Sequence, residues 1–227
     1  MPYLVLLLAV AFAASPFLVP DFGGFDADRY PVPQIDPAVQ PAGYAFAIWG
    51  PIYAWLVISA VTGVIRRDAP DWQAMRAPLA VSLAVGAVWL AVAVRSPVWA
   101  TILIWVMLVA ALAALWRSPR LDPWAAALPV GLYTGWLSAA SFVALGLFLA
   151  GYGLLPEMAA AVIMILAATC LAVVVQLRLD RAPTYGLAVI WALVAIIVQN
   201  GANIVAVLAG LGIAAMIWPT LRAVRGM

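Results

Sequence analysis

Eight apolar runs, at about 3–19, 44–65, 78–94, 98–116, 124–150, 157–177, 185–199 and 203–220, follow one another from end to end of the chain. A bilayer-spanning helix needs about 20 mostly apolar residues, because in hydrocarbon every backbone amide must bond within its own segment. The runs have that length, so the pattern predicts an all-α integral membrane protein with eight spanning helices. Charged residues make up 9% of the chain and hydrophobic ones 68%, against roughly a quarter charged in a soluble domain. The lipid bilayer is therefore the first partner implied. One compact membrane domain is expected.

The run at 3–19 carries a small-residue stretch, Ala11 to Ala14, like that of a cleavable signal, but no Lys or Arg precedes it. It is expected to be the first spanning helix. The runs at 185–199 and 203–220 are separated only by Gln199 to Asn203, and arginine placement decides whether they are one helix or two. With eight alternating helices, Arg66, Arg67, Arg76, Arg117, Arg120, Arg178, Arg181, Arg222 and Arg225 share one side, and only Arg29 and Arg95 lie opposite. Fusing the last two helices would spoil that asymmetry. The positive-inside rule then expects both termini in the cytoplasm, with a bacterial inner membrane as the location.

Whole chemistries are missing. The chain has no histidine, the commonest ligand for zinc and haem iron. All its basic residues are arginine, so no lysine can form a Schiff base. The nine acids, from Asp21 to Asp180, fall in loops or at helix ends, whereas proton relays and intramembrane catalysis need ionisable groups within the spans. No enzyme and no required cofactor or metal is expected. A net charge of +2 in scattered arginines implies no nucleic acid. The single cysteine, Cys170, is expected to pack between helices.

What remains inside the membrane is aromatic. Of eleven tryptophans, Trp72, Trp99, Trp116, Trp124 and Trp218 lie near run ends, where indole favours the headgroup zone. Trp49, Trp55, Trp89, Trp105, Trp136 and Trp191 lie deeper, where a cluster would suit a planar hydrophobic ligand or would simply fill space between helices. The longest connection, about 20–43, holds four prolines between Pro31 and Pro41. It is read as a lid or as a solvated connector.

The second run opens Pro41-Ala42-Gly43-Tyr44-Ala45-Phe46-Ala47-Ile48-Trp49-Gly50-Pro51-Ile52-Tyr53. This stretch resembles the helix-two signature of the TspO/MBR family, the tryptophan-rich sensory proteins, with Trp49 and Tyr53 one residue early relative to Phe46. Tyr133 and Trp136, followed by the small residues Ala139 and Ala140, match the family's fifth helix, and Trp89 its third. Polar positions of the family are replaced by Ser82, Gly86 and Ala144. The resemblance implies a TspO-like five-helix bundle over 1–150, with 151–227 adding three helices. It also implies a pocket that takes a tetrapyrrole such as protoporphyrin, or a sterol-like molecule, for sensing, carriage or regulation. Tyr44, Phe46, Trp49, Tyr53, Trp89, Tyr133, Trp136 and Ala140 are the candidate ligand-binding residues.

Two other readings stay open. Gln199 to Asn203 could line a polar path for a small solute in a transporter. Alternatively the chain is an accessory subunit, its alanine-rich stretches at 125–127 and 159–161 allowing close contact with a second copy or with a larger membrane complex.

Overall fold

The computed structural model describes residues 1–19 and 27–226. The described residues form eight α-helices: α1 (Pro2–Leu18), α2 (Trp49–Ile65), α3 (Gln73–Ala93), α4 (Pro97–Trp116), α5 (Ala127–Gly151), α6 (Glu157–Leu179), α7 (Pro183–Asn200) and α8 (Ile204–Arg225). Seven are long and apolar enough to cross a bilayer, α2 together with a 3₁₀ lead-in, Gly43–Ile48, that brings the segment to 23 residues. The eighth, α1, has 17 residues, at the short end of the spanning range. No strand occurs among the described residues.

The last two helices are separate. Gly201 takes φ +60° and ψ −129°, a conformation that a Cβ would oppose, and the Asn203 side chain accepts from the Ala206 N–H at 3.0 Å to start α8. Asn203 also donates to Asn200 Oδ1 at 3.0 Å, and Asn200 donates to the Ala38 and Ile196 carbonyls at 2.8 and 2.9 Å. The two asparagines suggested for a polar path are thus committed to capping and to holding a loop.

Helices α1 to α5 form a ring in the order α1–α2–α5–α4–α3, and α5, α6, α8 and α7 form a second group. Helix α5 is common to both, which explains why it is apolar on every side. Gly131 and Gly135, one turn apart, let α7 approach: a Cβ on Gly135 would meet the Tyr185 backbone carbonyl and, at 3.0 Å, Ala188. Small residues four apart permit such close backbone contact between membrane helices.

Helix alternation puts Arg66, Arg67, Arg76, Arg117, Arg120, Arg178, Arg181, Arg222 and Arg225 at one end, with both chain termini, and Arg29 and Arg95 at the other. Contacts across that first end agree: Arg66 pairs with Asp122 at 3.2 Å, Arg67 bonds Tyr3 at 3.4 Å and Arg181 bonds the Trp116 carbonyl at 3.1 Å. Burial, aided by neighbouring Arg120, lowers the Arg181 pKa from its ordinary value.

Arg76 has another task. It is 3% exposed and donates to the carbonyls of Gly63, Arg66 and Arg67 at 3.1, 2.9 and 3.0 Å. It thereby closes the C-terminus of α2, where free carbonyls gather negative charge. Arg76→Met keeps the stem and strands these acceptors; it should cost about 2–3 kcal/mol, read as a lower midpoint of thermal unfolding in detergent, while Arg95→Met, at an exposed helix end, should change little.

Two expectations from position fail. Trp72 is 1% exposed and donates to Asp122 at 3.1 Å, so it is packed between helices instead of resting among headgroups; Gly63 leaves room for its ring. Cys170 is exposed on α6, because the packed face of that helix is taken by Met164, Ala172 and Gln176.

Candidate functional site

The ring of five helices borders a partly open cavity of about 580 Å³. Its walls are Phe12, Pro16 and Val19 from α1 and its end, Phe46, Trp49 and Tyr53 from the second span, Trp89 and Leu90 from α3, Ile104 and Met107 from α4, and Trp136, Leu137 and Ala140 from α5. These positions fall in the half of the bundle away from the nine arginines. A side recess of about 60 Å³ shares Phe46, Trp89, Ile104, Trp136 and Ala140 with it and adds Gln40, Pro41, Ala144 and Ala192.

Six of the eight candidate residues therefore share one space: Phe46, Trp49, Tyr53, Trp89, Trp136 and Ala140. Trp49 stacks on Tyr53 at 5.2 Å and 18° between planes, one turn along the same helix. Trp136 receives the edges of Phe46 at 5.9 Å and Trp49 at 6.3 Å. Offset and edge-to-face geometries of this kind add to the burial of the rings. Trp89 is fixed by its indole N–H, which donates to the Ala100 carbonyl at 2.9 Å.

The other two lie elsewhere. Tyr44 is 45% exposed and meets Trp191 of α7 edge-on at 5.5 Å; two residues before Phe46 in the helical turn Gly43–Ile48, it points to a different side from the ring that enters the cavity. Tyr133 is fully buried behind the wall, its hydroxyl 2.8 Å from Ser82 Oγ, and Ser82 in turn donates to the Met107 carbonyl at 2.9 Å. It braces α3, α4 and α5 under the site without facing it.

Of the deeper tryptophans, three do not contribute to the cavity. Trp55 donates to the Trp124 carbonyl at 3.0 Å, Trp105 packs on Phe142 at 5.0 Å, and Trp191 donates to the Ala45 carbonyl at 3.0 Å. Conversely, sequence reasoning missed Phe12. Its ring stands edge-on to Trp49, Tyr53 and Tyr133 at 5.7, 4.9 and 5.7 Å. It fits only because residue 86 is glycine, where a Cβ would lie 2.8 Å from the phenyl ring. The absence of a side chain at Gly86 was the available signal, and it was read only as a lost polar group.

Among the described residues the cavity wall carries no charged side chain, so these residues offer apolar and π-faces with a few neutral polar atoms. Trp136 itself is 2% exposed, and its indole nitrogen is buried with no hydrogen-bond partner among the described residues. A larger hollow of about 780 Å³ along α4 is an outward-facing groove in which Ile102, Val106 and Val109 are exposed, suited to lipid tails.

No curated protein and no solved structure matches the chain. The model of a family described as TSPO-like protein matches residues 26–221, running past α5 through α6 and α7 into α8. The three added helices thus fall inside the matched region, although the resemblance read from motifs stopped near residue 150. With most of its length matched and a tryptophan-walled cavity within a five-helix ring, the chain belongs to the TSPO-like protein family.

Proposed function

We propose that this membrane protein binds a hydrophobic planar or lipidic molecule, of the tetrapyrrole or sterol-like kind, in the aromatic cavity and acts as a sensor, carrier or regulator with no catalytic residue. The observation that carries this reading is a cavity of about 580 Å³ walled by aromatic rings from α1, the second span, α3 and α5, with no charged side chain among its described lining residues. The volume falls within the range of about 300–1,000 Å³ usual for small-molecule sites. Phe46, Trp49, Tyr53 and Trp89 supply flat apolar faces on either side, and Ala140 leaves space between them.

By the positive-inside rule the arginine-rich end belongs in the cytoplasm, of a bacterial inner membrane on this reading. The cavity then lies in the outer half of the membrane.

The test is a titration of the purified protein in detergent with protoporphyrin. Tryptophan fluorescence should be quenched along a saturating curve, since Trp49, Trp89 and Trp136 all border the site. A decline that stays linear and equals that of free tryptophan would overturn the proposal.

A further inference from the structure

We propose that the added helices set the affinity of the cavity by holding one of its walls, with Glu157, Trp191 and Asn200 as positioning residues; this rests on the reading of the cavity as a ligand site. The wall in question is segment 36–48, which contributes Phe46 to the cavity and Gln40, Pro41 and Phe46 to its side recess. Its ring supports it weakly. Helices α2 and α5 touch less than any other neighbouring pair of the five, yet the Phe46–Trp136 contact falls in that gap. Pro37 and Pro41 have no N–H to give, and Gly43–Ile48 is 3₁₀ helix, whose hydrogen bonds are poorly aligned.

Support comes from α6 and α7. The Ala38 N–H donates to Glu157 Oε1 at 3.0 Å, and the Ala38 carbonyl accepts from Asn200 Nδ2 at 2.8 Å. The Ala42 N–H donates to the Ala195 carbonyl at 3.1 Å, and the Trp191 indole donates to the Ala45 carbonyl at 3.0 Å. On the ring's own side, Val39 packs over Gly146 of α5, where a Cβ would lie 2.9 Å from it. Ala192, one residue after Trp191, lines the side recess itself. Four backbone groups of one cavity wall are therefore bonded to helices outside the five-helix ring. Each such bond contributes modestly, but together they fix where Phe46 stands relative to Trp136.

The experiment compares the wild-type protein with Glu157→Ala/Asn200→Ala, Glu157→Ala and Glu157→Gln, in detergent, by hydrogen exchange and by protoporphyrin titration. Trp191 is left in place so that the fluorescence readout is unaltered. In the double variant, amides of 36–48 should exchange about fivefold faster or more and the dissociation constant should rise about tenfold, while α3 and α4 keep their protection. Glu157→Ala should show a smaller change in the same direction. Glu157→Gln, whose amide oxygen still accepts from Ala38, should behave as wild type.

Faster exchange in 36–48 with unchanged affinity would overturn the inference, since the wall would then move without consequence for the ligand. Unchanged exchange would overturn it as well, because these bonds would not hold the wall. Should the double variant lose protection in α3 and α4, the pair Glu157→Ala and Glu157→Gln decides: equal affinities sink the inference. Wild-type protein that gives no saturable quenching removes the ligand-site reading, and this inference with it.

Discussion

Trp136→Phe should weaken protoporphyrin binding by roughly three- to tenfold while leaving the empty protein as stable as before, or more so. The two effects have different origins. The phenyl ring keeps most of the apolar face that Phe46 and Trp49 meet edge-on, so packing suffers little. What disappears is the indole N–H, which is buried without a partner and so opposes folding of the empty protein. In the complex, the smaller ring gives up part of the flat surface with which Trp136 borders the cavity. Affinity from absorbance changes of the porphyrin and a thermal unfolding midpoint from the same preparations give both quantities. A tryptophan retained only to fill space would show lower stability with unaltered affinity, and that outcome would refute its assigned role. Trp105→Phe, on the far side of α4 against Phe142, is the control and should leave binding unchanged.

Gly135→Ala should destabilise the protein by about 1–3 kcal/mol, a large effect for one methyl group. Its Cβ would be directed at the Tyr185 carbonyl, and backbone within a helix cannot step aside as a side-chain tip can. The cost should be felt as separation of α5 from α7. Because α7 also holds Ala42 and Ala45 of the cavity wall, ligand affinity should fall along with the unfolding midpoint. Gly210→Ala in α8 is the matched comparison: nothing lies within 4 Å of the added methyl, and alanine is the better helix former. That variant should be neutral or slightly stabilised. Equal effects at the two glycines would mean that helix propensity, and not the α5–α7 contact, governs the outcome.

The motif residues Tyr133, Gly135 and Trp136 illustrate how far a linear pattern could be read. Their spacing marked α5 as special and tied it to one family, yet three neighbouring residues do three different things. Tyr133 bonds Ser82 behind the wall, Gly135 admits α7, and Trp136 faces the cavity. In a helix, residues one or two apart point in different directions, and even residues three apart are offset by about 60°, so a motif identifies an element without saying which side chain faces a ligand. Tyr44 was misplaced for a related reason. It was carried over from the motif, whereas residues two apart such as Tyr44 and Phe46 point to different sides of a helical turn, and Tyr44 packs on Trp191.

Phe12 and Gly86 show the opposite limit, since neither has meaning until α1 and α3 are side by side. The asparagines at 200 and 203 were conspicuous as polar residues between apolar runs. Only their partners, a helix cap and the Ala38 carbonyl, reveal that they hold structure together.

Apolar run length and arginine placement by themselves determined that this is an eight-helix membrane protein with nine arginines gathered at one end, because those properties answer to the solvent and each residue contributes almost independently. Which rings meet, that Phe12 joins them, and that α6 and α7 grip the wall carrying Phe46 were decided by tertiary structure alone. Inside a bilayer, lipid is as apolar as the side chains, so hydropathy no longer says which face of a helix turns inward; close packing and the pairing of a few polar groups do.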